Sequence, residues 1–133
     1  MPMYERTAVV EADPDDLFHL VAELATVPEC VERVLAAERV ELGRVRVSVA
    51  TGAGPVTVGV WLKVDRPGRL LRWGVDGDAV TGEVEVTGLD GVAWLRARVM
   101  TGAAAGAVTE ADVSGAVARY KELAEAPGEP GHP

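Results

Sequence analysis

The amino-acid sequence predicts an α+β fold, a curved antiparallel β-sheet wrapped around a long C-terminal helix. Three observations carry that prediction. A strand-like segment and a sharply capped helix come first. Six runs of two-residue periodicity follow, separated by Gly, Pro and Asp turns, and one amphipathic helix closes the chain. Connections this short join antiparallel neighbours, because parallel strands need a crossover of about a dozen residues or more.

Residues 4–11 alternate loosely and read as the first strand. Asp13-Pro14-Asp15-Asp16 then opens a helix. Asp13 suits the N-cap, Pro14 the first helical position, and the acids that follow face the positive end of the helix dipole. Leu17, Phe18, Val21, Leu24 and Ala25 form one apolar stripe at helical spacing, so the helix is expected to run to about Ala25. Val27-Pro28 interrupts it, and residues 29–32 are expected to add one further turn.

From about Val34 the period becomes two, and strands are expected at 34–42, 44–51, 56–65, 70–76, 80–88 and 92–101. The breaks are Gly43, Gly52-Ala53-Gly54-Pro55, Arg66-Pro67-Gly68-Arg69, Asp76-Gly77-Asp78 and Asp90-Gly91. Pro67-Gly68 suits the centre of a type II turn and Asp90-Gly91 a type I′ hairpin. Alternation also fixes the buried face. Val80, Gly82, Val84 and Val86 oppose Thr81, Glu83, Glu85 and Thr87. Ala93, Leu95, Ala97 and Val99 turn inward if Arg96 and Arg98 face water. Val56, Val58, Val60, Leu62 and Val64 make a third inner stripe, and Leu71, Trp73 and Val75 a fourth. By the same parity Trp61 and Trp94 point outward.

A flexible stretch is expected at 102–106. Thr109-Glu110-Ala111-Asp112 then resembles a capping box, and Val113, Ala116, Val117, Tyr120, Leu123 and Ala124 share one face of the last helix. That helix stops at Pro127. A single domain is read over residues 1–126, with 127–133 as a disordered tail.

Composition narrows the function classes. A chain of 133 residues, 48% hydrophobic and 5% aromatic, is long enough for a core built from Val, Leu and Ala without disulfides or metals. No apolar run approaches the roughly 20 residues of a membrane-spanning helix. The first residues show no basic segment followed by an apolar core, so no secretory signal is expected. Cys30 is the only cysteine, and a reducing, cytoplasmic setting is the expectation. The net charge of −8 and pI near 4.7 disfavour nucleic acid and anionic membrane surfaces, both of which are held by Lys and Arg.

The segment Val9-Val10-Glu11-Ala12-Asp13-Pro14-Asp15-Asp16-Leu17-Phe18 resembles the strand-then-helix entry of the START-like superfamily. That superfamily, also called SRPBCC, is the polyketide cyclase/dehydrase and lipid-transport group. Leu24-Ala25-Thr26-Val27-Pro28-Glu29-Cys30, Arg69-Leu70-Leu71-Arg72-Trp73 and Asp90-Gly91-Val92-Ala93-Trp94-Leu95 are similar to its later segments. The family often has Trp where Cys30 stands, and this chain departs there. The resemblance covers about residues 4–125 and rests on order and spacing rather than on one motif. It implies a helix-grip fold with an apolar cavity under the terminal helix, which binds lipids, quinones, hormones or polyketides. Cyclases, aromatases and hydrolases are a minority of the family.

The residue census offers little chemistry. His19 falls off the apolar stripe, on the side of Asp15, Asp16 and Glu23, and reads as a surface histidine; His132 lies in the tail. Two histidines and one cysteine do not supply zinc-ligand spacing or a nucleophile–histidine–acid triad, so no metal, cofactor or catalytic residue is assigned. The pairs Asp15-Asp16, Glu83/Glu85 and Asp76/Asp78 read as solvated caps, turns or wet-face residues. The glycine-rich stretches lack a P-loop Lys-Ser/Thr. The residues expected to line a cavity are Phe18, Cys30, Val60, Trp73, Val84, Leu95, Val117 and Tyr120, with Tyr120 the best-placed hydroxyl. The parity of Arg72 and Ser48 stays open. The expected function is therefore binding of a small hydrophobic ligand (a lipid, polyketide or aromatic metabolite). The alternative is a polyketide cyclase/aromatase-type enzyme using Tyr120, Arg72 or Ser48 in the same cavity. A collapsed protein-interaction module and a homodimer stay open.

Overall fold

The computed structural model describes residues 3–77, 80–101 and 109–126. The elements are β1 (Met3–Val10), α1 (Pro14–Ala22), a 3₁₀ turn (Leu24–Thr26), α2 (Val27–Cys30), β2 (Val34–Glu41), β3 (Arg44–Thr51), β4 (Gly54–Asp65), β5 (Leu70–Val75), β6 (Thr81–Leu89), β7 (Val92–Met100) and α3 (Glu110–Glu125). The strands form one antiparallel sheet in the order β1-β7-β6-β5-β4-β3-β2, so the meander is as expected, with the first strand closing onto the last. The expectations for Asp78, for 102–106 and for the 127–133 tail fall outside the described residues.

Local chemistry explains most boundaries. Asp13 is extended (ψ 134°), and its Oδ1 accepts from the N–H groups of Asp15 (2.9 Å) and Asp16 (3.2 Å), satisfying donors that the first helical turn leaves open. Thr109 and Asp112 complete a reciprocal capping box at the start of α3. The first helix is shorter than its apolar stripe suggests. Glu23 is extended, and the Thr26 hydroxyl turns back onto the carbonyls of Leu20 and Glu23, at 2.8 Å each. That side chain supplies what another helical turn would have supplied to those carbonyls. Pro28 then sits in the first turn of α2, where its missing N–H costs nothing, so the extra turn occupies Val27–Cys30 rather than 29–32.

Two hairpins show what the turn chemistry does. Asp90 (φ 55°) and Gly91 (φ 80°) are both left-handed, as a type I′ turn requires. At Arg66–Arg69 the outcome differs from the expected type II turn. The left-handed residue is Arg69 (φ 49°), not Gly68. Gly68 is needed there for closeness instead. Its N–H donates to Asp65 Oδ1 (3.2 Å), and a Cβ would collide with that carboxylate.

The inner and outer faces follow the alternation. Register aligns Leu71 with Val84, Val84 with Ala97 and Val86 with Leu95, all on the inner face. Leu17, Leu95 and Val10 are the largest fully buried side chains, each stabilising the fold by roughly 1.5–3 kcal/mol through burial. Trp73 points inward and Trp61 outward, and each lies over a cross-strand glycine. A Cβ on Gly82 would fall well inside 3.0 Å of the Trp73 ring, and one on Gly74 inside 3.0 Å of the Trp61 ring.

On the outer face the acids expected to be simply solvated are paired instead. A row of alternating sign crosses four strands, with Arg72–Glu83, Glu83–Arg98 and Arg98–Glu5 contacts of 3.6 Å. Arg98 Nε is enclosed without a hydrogen bond, held in the row by charge alone. Arg96 Nη2 donates to Glu85 Oε1 at 2.6 Å in the adjacent row. Half-exposed pairs of this kind contribute about 0–1 kcal/mol each, but they fix which face of the sheet stays wet.

Candidate functional site

The helices cover the sheet unevenly. α3 lies against β1 and β7, α1 against β6 and β7, and α2 bridges β2 and α3. Among the described residues no helix packs closely over β3, β4 and β5. Val45 and Leu71 there are buried, but Val47, Val58, Val60, Leu62, Trp73 and Val75 are only half-buried, while Val86 and Leu95 under the helices are closed off. Val56 at one end of β4 is 47% exposed and Val64 at the other 38%. The inner face of β3–β5 is thus an apolar surface that the described helices leave partly uncovered, most of all along β4.

α3 is fastened beside this surface by polar contacts on both flanks. Toward β1, Arg6 donates to Ser114 Oγ from Nε (2.9 Å) and Nη2 (2.6 Å), Lys121 Nζ donates to Val9 O (2.6 Å), and the Glu11 N–H donates to Glu125 Oε2 (2.9 Å). Toward α2, Arg119 Nη2 reaches Glu29 O at 3.4 Å, and Arg33 Nε lies 3.6 Å from Asp112. Val113, Val117 and Tyr120 form the buried face between the two flanks.

Of the residues expected to line a cavity, Phe18, Cys30, Leu95, Val117 and Tyr120 share one buried cluster, with Val84 and Trp73 packed at its margin. Trp73 also joins the second cluster of Val80, Val99 and Val113. Val60 belongs to neither cluster and is half-buried on the open stretch of β4. Arg72 and Ser48 lie on the outer face, Arg72 opposite Glu83 and Ser48 opposite Thr57, so neither can reach the inner surface. His19 is exposed, as expected. Among the described residues no group of three or more His, Cys, Asp or Glu could hold a metal ion.

Tyr120 is 8% exposed, and its hydroxyl is hydrogen-bonded to the Thr26 side chain. Burial first, and the neighbouring Cys30 second, push the Tyr120 pKa up to about 12, against the opposing effect of the Thr26 bond. Cys30, 4% exposed, is likewise held in its neutral thiol form, by burial and by Glu29, with Arg119 acting in the opposite sense. It forms part of a surface cleft of about 270 Å³ between α2 and α3, shared with Glu29, Arg119, Glu122, Leu123 and Ala126. Another surface depression, of about 470 Å³, lies between the start of α1 and the β6–β7 turn. Thr26, which ties α1, the 3₁₀ turn and α3 together, carries no signature in the sequence beyond its place before Val27-Pro28.

No protein-family model matches the chain, and no curated protein matches it in sequence. Solved structures do resemble it. A structural-genomics protein from Deinococcus radiodurans is 18% identical with a TM-score of 0.77, over 94% of this chain and 98% of that one. The di-domain ARO/CYC protein BexL of the BE-7585A biosynthetic pathway is 19% identical with a TM-score of 0.74, over 92% of this chain and 46% of that one. This chain therefore spans about half of the di-domain protein. A START superfamily protein from Mycobacterium smegmatis is 9% identical with a TM-score of 0.68, over 92% and 94% of the two chains. Likeness at these identities speaks for architecture, and the architecture is the START-like helix-grip fold.

Proposed function

We propose that this protein binds a small hydrophobic ligand (a lipid, polyketide or aromatic metabolite) in a hollow between β3–β5 and the helices. The observation that carries this reading is the half-buried run Val47, Val58, Val60, Leu62, Trp73 and Val75, which faces inward and which no described helix packs over closely, with Leu62, Trp73 and Val75 at the margins of the buried clusters. An apolar concave surface with few polar groups is what binding through buried area needs. The structural likeness to a START superfamily protein and to ARO/CYC proteins supports the same frame.

The cyclase/aromatase alternative needs a positioned acid and base facing the substrate. Arg72 and Ser48 face away, and the Tyr120 hydroxyl is already engaged by Thr26. That favours binding over catalysis. The single buried thiol fits a reducing, cytoplasmic setting, and no helix among the described residues is long and apolar enough to cross a membrane.

Native mass spectrometry of the protein purified from its host, followed by denaturing extraction, tests the reading and also reads whether a homodimer forms. A stoichiometric apolar molecule is the expected result. A ligand-free protein that also fails to bind the neutral dye N-phenyl-1-naphthylamine would sink it.

A further inference from the structure

Charge is sorted between the two faces of the sheet. The chain carries a net charge of −8, yet among the described residues no inward strand position is Asp or Glu. The inward positions hold two arginines, Arg6 on β1 opposite Ala97 and Arg39 on β2 opposite Val45. The outward arginines of the strands are all ion-paired. Arg44 meets Asp76, Arg46 meets Glu38, Arg72 meets Glu83, Arg96 meets Glu85, and Arg98 meets both Glu5 and Glu83. Neither inward arginine has a carboxylate partner among the described residues. Arg6 gives its Nε and Nη2 donors to the Ser114 hydroxyl and so fastens α3. Arg39 is the inward cation left over, exposed at the β2 edge of the sheet.

From Arg39 one inward row crosses the uncovered part of the sheet, with Val45, Val60 and Val75 opposite one another in turn on β3, β4 and β5. Val45 is buried, and Val60 and Val75 are half-buried. Three strand spacings, about 14 Å, separate Arg39 from Val75. At the far end Tyr4 and Trp73 share the margin of one cluster with Val75, and their polar groups are uncharged. We propose that Arg39 anchors a carboxylate, and that the ligand is a monoanionic amphiphile whose apolar body lies along Val60 and Val75 toward Trp73. A guanidinium keeps its charge and grips a carboxylate through two parallel hydrogen bonds. Because Arg39 is exposed, the carboxylate keeps part of its hydration and escapes the cost of burying an ion. One cation neutralises one charge, so a phosphate monoester, at about −2, would bring an excess to an already acidic chain. The inference rests on the binding reading above and narrows it to carboxylic acids.

The test compares chains that share a body and differ in the head group. Dodecanoate, dodecanol and dodecyl phosphate each compete at neutral pH with bound N-phenyl-1-naphthylamine, and native mass spectra of the same mixtures read the competition directly. Dodecanoate is expected to displace the dye at the lowest concentration of the three. Arg39→Gln, or Arg39→Met should the first variant fold poorly, should cut the preference for dodecanoate over dodecanol by about tenfold. Lys63→Gln is the control. It removes the same charge from an exposed outward position on β4, opposite Arg72, and should leave the preference intact. Dodecanol that competes as well as dodecanoate overturns the inference while the bound dye keeps the binding reading in place. Equal losses in the Arg39 and Lys63 variants also overturn it, because net charge rather than an anchor then sets the preference. Tighter dodecyl phosphate overturns the assignment to a carboxylate. If the dye fails to bind and no chain is retained in the mass spectra, the binding reading falls and the inference with it.

Discussion

Gly82→Ala should cost far more than its single methyl suggests. The new Cβ would fall well inside 3.0 Å of Cε2 and Cζ2 of Trp73 and 2.7 Å from its Nε1, where ordinary contact begins near 3.4 Å. The backbone at Gly82 is held in the ladder between β5 and β7, so the ring must give way. Trp73 packs against both hydrophobic clusters, one holding Leu95 and Tyr120, the other Val99 and Val113. A displaced ring therefore disturbs both, and overpacking of this kind costs about 1–3 kcal/mol. The assay is urea unfolding followed by far-UV circular dichroism, with Trp73 emission read in a Trp61→Phe/Trp94→Phe background. Gly115→Ala in α3 is the control. Its Cβ would meet nothing within 4 Å, and replacing a helical glycine by alanine stabilises by about 0.5–1 kcal/mol. The same chemical change should thus have opposite signs at the two sites. A Gly82→Ala cost below about 0.5 kcal/mol with unchanged Trp73 emission would refute the reasoning.

The remaining predictions concern pH, caps and turns. Tyr120 has its pKa raised from 10.0 to about 12 in the folded state. Its contribution to stability is therefore complete below about pH 10 and lost as the pH rises toward 12, in total about 3 kcal/mol at 1.36 kcal/mol per unit. Denaturant midpoints between pH 8 and 12 should fall steeply for the wild type and less steeply for Tyr120→Phe, with a residual slope from Cys30, whose pKa is also raised; identical slopes would sink the assignment. Asp13→Ala removes the acceptor of two amide bonds and should lower stability by about 1 kcal/mol in thermal or urea unfolding, whereas Asp13→Asn should be nearly silent. At position 69, Arg69→Gly and Arg69→Ala both lose the 2.8 Å ion pair to Asp15, yet only glycine relieves the left-handed backbone. The glycine variant should be the more stable by about 1 kcal/mol, and equal midpoints would show the turn to be unstrained.

Where a regular period meets a buried face, the fold was legible. The alternation through Val80–Val86 and Ala93–Val99 fixed inside and outside, and Asp90-Gly91 could satisfy its two left-handed positions in few ways. Legibility ended where a contact between distant segments decides the geometry. Gly68 and Arg69 exchange the role expected of Gly68 because Asp65 occupies the space next to the glycine. Thr26 ends α1 through bonds that helical spacing cannot reveal. The cavity set was read from parity and helix faces alone, which identify what points inward but not what lies above it. Hence Phe18 and Leu95 turn out to be enclosed in the core while Val60 borders open space. The cross-strand pairing of Glu83, Glu85 and Arg98 likewise needed the register, which no single strand contains.

The uneven cover of the sheet also has a dynamic consequence. β1, β6 and β7 lie under α1 and α3, whereas among the described residues no helix packs closely over β3 and β4, so the ladder of the second group has fewer apolar contacts holding it shut. Amide protons of 44–51 and 54–65 should exchange with solvent by local opening, while those of 92–100 wait for global unfolding. A ligand in the hollow would take the place of the absent layer. It would slow exchange selectively in β3 and β4 and raise the melting temperature with its own concentration. If the proposed ligand binds there, it would complete the apolar cover of β3 and β4 and act as the last hydrophobic side chain to fold.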